Sequence, residues 1–226
     1  MPGDPAASKE ADAAVTGSFI TFEGTEGSGK STQIQLLTER LRAAGRNVRT
    51  LREPGGTPIG EEIRHTLKHS TQNAAMCAEA ELLLMNASRA QLVREVIRPA
   101  LARGEVVLCD RFYDSTIAYQ AYGRQIDLKM VKAMIEFAVG ETRPNLTLLM
   151  VVSEAVSEQR RRARQATLPF VRDRIEEADL EFFRRVAQGY QAIAAEQPAR
   201  VRVIDGMGSI ETIESKIWST IQALLP

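Results

Sequence analysis

The sequence predicts an α/β fold of the doubly wound kind, a parallel five-stranded sheet with helices on both faces. Three observations lead there. Five short, β-prone apolar runs are spread between residues 19 and 204. The stretches between them carry apolar residues at helical spacing, and such alternation builds crossover connections and a parallel sheet. The chain also has one-domain size: 226 residues, 44% of them apolar, enough for one core and a lid or insert.

The strands are expected over Phe19–Phe22, Val48–Arg52, Val106–Cys109, Leu146–Val152 and Val201–Ile204. The first helix should run from about Lys30 to Ala44, because Ile34, Leu37 and Leu41 share a face and Gly45 stands where a C-terminal cap would. A long helix is expected from Ala78 to Gly104, kinked or restarted near Pro99, which has no N–H to give. Further helices are expected over Leu128–Val139, Glu154–Arg164, Ala178–Glu196 and Ile210–Leu224. Residues 1–17, "MPGDPAASKEADAAVTG", lack the apolar core of a signal peptide and read as a disordered tail ahead of a single domain, 18–226.

Composition excludes some classes. Lys+Arg and Asp+Glu both number 29, which argues against a general nucleic-acid or membrane binder. No run reaches the length of a membrane span. The two cysteines, Cys77 and Cys109, lack metal-ligand spacing and are expected to be buried thiols in a reducing compartment, the cytoplasm. His65 and His69 are four apart, a zinc-capable spacing, but no third ligand is evident and a solvated face is expected.

The chemistry starts at the end of the first strand. Gly24-Thr25-Glu26-Gly27-Ser28-Gly29-Lys30-Ser31 fits G-x-x-x-x-G-K-[ST], with Thr32 following in the helix. Several main-chain N–H groups must converge on a phosphate there, so glycine is needed where side chains would obstruct. The helix that follows aims its unsatisfied N–H groups at the same anion. Lys30 then reaches the β- and γ-phosphates of a nucleoside triphosphate, and the Ser31 hydroxyl can coordinate Mg²⁺. Asp110, after the third strand, is the second candidate Mg²⁺ ligand.

Three further stretches narrow the choice: "REPGGT" (52–57), "LLLMNASRAQLV" (82–93) and "DRFYDSTIAYQAYGR" (110–124). With the phosphate loop, they make the chain resemble the thymidylate kinase family from about Phe19 onward. The resemblance implies a P-loop kinase fold that moves the γ-phosphoryl group of ATP to dTMP. It implies that Glu26 bonds the acceptor's 3′-hydroxyl and that Arg111 meets the acceptor phosphate and the transferring group. It also implies that Arg52 faces that phosphate, that the bend at Pro54 shapes the acceptor pocket, and that Arg89 reads thymine. Ser115, Thr116 and Gln120 would bond the base or sugar, and the enzyme would be a homodimer. One departure is Met85, where the family usually places a stacking Phe; a thioether packs adaptably but offers no flat ring.

"SEQRRRARQATLPFVRDRIEE" (157–177) concentrates arginines in a stretch that reads as a basic lid, about 160–175. Phosphoryl transfer leaves the protein mainly electrostatic work, which suits cations delivered by a closing segment. In the family the catalytic arginine comes from the phosphate loop or from the lid. Gly27 occupies the loop position here, so Arg160, Arg162 and Arg164 are the candidates, undistinguished by sequence. The rival readings are a deoxynucleoside kinase, which would need Glu23 or Glu53 as a base, and a nucleotide switch without an acceptor.

Overall fold

The computed structural model describes residues 17–167, 174–175 and 178–224. Residues 1–16 of the expected tail (1–17), residues 168–173 of the expected lid with Arg172 and Asp173, and Glu176 lie outside the described residues, as do the side chains of Arg161 and Arg164.

Five strands, β1 (Ser18–Glu23), β2 (Val48–Arg52), β3 (Val106–Asp110), β4 (Leu146–Val151) and β5 (Val201–Asp205), form one sheet in the order β2-β3-β1-β4-β5. Every pairing is parallel, and all five expected strands are present within a residue or two. Among the described residues nine α-helices connect and cover them: α1 (Lys30–Ala43), α2 (Pro58–Arg64), α3 (Ala78–Leu92), α4 (Arg98–Ala102), α5 (Tyr113–Thr116), α6 (Leu128–Val139), α7 (Glu154–Thr167), α8 (Leu180–Glu196) and α9 (Ile210–Ile221). The long helix does restart before Pro99, through a wider π turn over Val93–Ile97. A second wide turn, Ile117–Gly123, extends α5, and a third, His65–His69, extends α2.

Period-two alternation puts a core on each face. Phe19, Val107, Cys109 and Leu149 pack under α3, α6 and α8. Ile20, Phe22, Leu108, Leu148 and Met150 pack under α1 and α9. Asp127, Asp179 and Ser209 cap α6, α8 and α9 by accepting from main-chain N–H groups. Cys109 is buried, but Cys77 is exposed. This corrects the expectation, because Cys77 is the residue preceding α3 and not part of its packed face. Among the described residues, no helix is long and apolar enough to cross a membrane. No cluster able to hold a metal ion through His, Cys, Asp and Glu occurs among them either.

The three neighbouring strands β2, β3 and β1 end, at their carboxyl edges, in Arg52, Asp110 and Glu23. The "REPGGT", Asp-Arg and glycine-lysine stretches therefore meet beside one another, at the edge where parallel sheets bind ligands.

Candidate active site

The loop after β1 needs its glycines. Gly24, Gly27 and Gly29 have φ of 131°, 75° and 95°, a region L-residues rarely enter. A Cβ on Gly24 would lie 2.3 Å from the Met150 carbonyl oxygen. Lys30 folds back over this loop, and its Nζ donates to the carbonyls of Gly24 and Thr25 at 3.0 Å each and to Ser28 Oγ at 3.4 Å. Burial, with repulsion from Arg111 next, lowers its pKa to about 8. A buried ammonium held only by neutral oxygens is short of negative charge, which a phosphate would supply. Ser31 Oγ donates to Asp110 Oδ2 at 3.3 Å, bringing together the two residues expected to share a cation.

Helix α7 closes over the loop. Ser157 Oγ donates to the Glu26 carbonyl at 2.6 Å, and Arg160 donates to the carbonyls of Gly27 at 3.2 Å and Gly206 at 3.4 Å. The contact explains the glycine at 27: a Cβ there would lie 2.8 Å from the Ser157 carbonyl oxygen and 3.2 Å from Arg160 Cβ. A loop side chain and the arginine of α7 compete for one space. Of the other lid candidates, Arg162 is exposed and pairs with Glu158 one turn away.

A cleft of about 680 Å³ is lined at once by Glu26, Gly27, Lys30 and Ser31, by Met85, Arg89, Thr116 and Gln120, and by Arg111 and Arg160. Arg52, Pro54, Asp110, Ser115 and Thr32 also reach it, whereas Arg162 does not appear in its lining. The Glu53–Pro54 peptide is cis. Arg52 is held by Glu61, its Nη1 and Nη2 donating to the two carboxylate oxygens at 3.1 and 3.0 Å.

Arg89 is almost wholly buried, at 1% exposure. Its Nε donates to Glu53 Oε2 at 2.9 Å, its Nη1 to Asn86 Oδ1 at 3.2 Å and its Nη2 to the Phe112 carbonyl at 3.3 Å. Nη2 also lies 2.7 Å from Glu53 Oε2. These partners occupy at most four of the guanidinium's five N–H groups, so one Nη1–H remains for a ligand in the cleft. Burial raises the Glu53 pKa while Arg89 opposes it. Gln120 is fixed by donating to Glu81 Oε1 at 2.9 Å. Glu81 also accepts from Arg124 and pairs with Arg174.

Sequence reasoning missed several participants. Tyr119, Phe112, Phe183, Arg64 and Lys68 line the cleft. Phe183 supplies an aromatic ring from α8, and Met85 both lines the cleft and packs on the core. Tyr119 stood in the quoted Asp-Arg segment and could have been found there; nothing local marks Phe183. Of the carboxylates a hydroxyl-phosphorylating kinase would need as base, Glu53 is ion-paired and Glu23 is buried and not among the residues lining the cleft.

A family model described as thymidylate kinase matches residues 22–217. The chain belongs to the thymidylate kinase family. A thymidylate kinase from Syntrophotalea carbinolica is 46% identical over 203 residues, covering 89% of this chain and 94% of that protein. One from Citrifermentans bemidjiense is 48% identical over 195 residues, 86% of each. The crystal structure of the thymidylate kinase from Ehrlichia chaffeensis superposes with a TM-score of 0.74 at 33% identity, over 91% of this chain and 98% of that one. This chain is an ATP-dependent kinase that transfers the γ-phosphoryl group to dTMP and forms dTDP.

Proposed function

We propose that the cleft performs this transfer with the donor phosphates on residues 24–32 and dTMP beside Arg89, Thr116 and Gln120. The observation that carries the reading is the shared lining: one continuous space touches both the phosphate loop and the buried arginine pocket. Lys30 and Arg160 stabilise charge on the transferring group, and Arg111 holds the acceptor phosphate. Glu26 selects the acceptor sugar, and Arg89 gives its remaining N–H to a base carbonyl. Arg52 and Pro54 shape the acceptor side; Ser115 contributes through Arg111. No general base is needed, because the acceptor phosphate oxygen is already anionic at neutral pH.

Ser31 and Asp110 present hard oxygen donors that suit Mg²⁺. When bound, the ion would offset charge on the donor phosphates. Turnover lost on chelation and restored by Mg²⁺ supports this; chelator-insensitive turnover refutes it. The enzyme is cytoplasmic and a homodimer in this reading. Leu83 on α3 and Phe137 on α6, 86% exposed, are large apolar side chains on two helices that pack together. Light scattering should give a dimer that Phe137→Glu weakens. The central test is a coupled ADP-release assay over all nucleoside monophosphates with wild type and Lys30→Met. Preference for dTMP, abolished in the variant, is expected; full turnover by Lys30→Met would refute the placement of the donor.

A further inference from the structure

Arg111 is the residue on which donor and acceptor readings converge, yet its own backbone is strained. Its φ is 71°, in the left-handed region that costs a non-glycine residue about 1–2 kcal/mol. What holds it is Glu23. This carboxylate ends β1, is fully buried and is not part of the cleft lining.

Glu23 acts on Arg111 from two directions. On the backbone side, Oε1 accepts from Phe112 N at 2.7 Å and from Ser115 N at 3.3 Å, fixing the peptide immediately after Arg111. Arg111 N itself donates to the Phe22 carbonyl at 2.9 Å, one residue before Glu23. On the side-chain side, Oε2 accepts from Ser115 Oγ at 2.6 Å and from Tyr190 OH at 2.9 Å. Each hydroxyl has one proton to give. With both protons aimed at Oε2, only lone pairs face Arg111, and Nη1 donates to both hydroxyls at 3.1 Å. Nη2 donates to Tyr119 OH at 3.2 Å. That leaves Nε–H and one Nη2–H for an anion in the cleft.

We propose that Glu23 is a positioning residue for phosphoryl transfer, fixing the Arg111 guanidinium through the Ser115 and Tyr190 hydroxyls. A neutral amide at 23 would present an N–H where a lone pair is needed, turn a hydroxyl round, and release Nη1. The inference rests on the reading of Arg111 as the acceptor-phosphate cation.

A double-mutant cycle on dTMP affinity tests it, with Glu23→Gln and Arg111→Ala singly and together, by calorimetry alongside thermal melts. Glu23→Gln should weaken dTMP about tenfold, leave ADP affinity within about twofold, and add less than about twofold once Arg111 is alanine. Tyr190→Phe, which removes one hydroxyl and no charge, should weaken dTMP about threefold and carries the cycle if Glu23→Gln does not fold. Equal penalties in both backgrounds would overturn the inference alone. An Arg111→Ala variant that binds dTMP normally would overturn the reading of Arg111 and this inference with it.

Discussion

Arg89→Met separates the structural from the ligand-reading work of the most buried cation. The substitution removes the charge that faces Glu53, a carboxylate at 6% exposure whose Oε1 already has no hydrogen-bond partner among the described atoms. Stranding one member of a buried pair costs about 3–5 kcal/mol, against a total stability on the order of 5–15 kcal/mol. For a chain of this size, about 4 kcal/mol corresponds to roughly 8–16 °C in Tm. Adding Glu53→Gln should restore most of that loss, because a neutral amide tolerates burial better than a lone carboxylate. The Glu53 pKa is raised by burial and held back by Arg89; without Arg89 it rises further. A protonated Glu53 costs little, so the deficit of Arg89→Met should shrink as pH falls. Urea denaturation at pH 5 and pH 8 reads this, and dTMP binding should stay impaired even in the repaired double variant. A deficit that ignores pH and is not repaired by Glu53→Gln would refute the argument.

Three other outcomes are expected. Gly27→Ala combines a positive φ with a clash against α7, so it should cost about 1–2 kcal/mol by chemical denaturation and lower kcat at least tenfold. Arg160→Ala should lower kcat by about 10²–10³ in the coupled assay, and Arg162→Ala, which removes an exposed pair, should do far less; the reverse order would reassign the catalytic cation. Glu23 has its pKa raised to about 7, by burial first and Asp114 next, with Arg111 opposing and the Tyr190 hydroxyl facing it. Between its ordinary value and 7 the folded chain keeps a proton that the unfolded chain releases. Its contribution to stability therefore falls as pH rises through that window, by on the order of 3 kcal/mol. The difference between wild type and Glu23→Gln, measured by denaturation at stepped pH, should follow that slope; a flat difference would refute it.

Strand order aside, the fold was legible because each element carries a period. Two-residue alternation on β1 and β3 and the capped helical faces of α6, α8 and α9 agree with the packing they reach. The phosphate loop was legible because backbone chemistry there restricts residue type at fixed spacing. Partners distant in sequence were not. Tyr190 meets Glu23 across 167 residues and Ser157 meets the loop across 131, and no local pattern marks either contact. Arg162 was named by charge density near the lid, and the direction of its side chain, toward Glu158, is what sets it apart from Arg160 in the structure.

The stitching of α7 to the loop, through Ser157 on Glu26 and Arg160 on Gly27, has a mechanical consequence. With the donor phosphates placed on residues 24–32 as proposed, a helix fastened to those peptides cannot swing away without tugging on them. On the proposed placement, departure of spent donor and withdrawal of the arginine are geared into one stroke, and the two fastenings, Ser157 and Arg160, set how stiff the gear is.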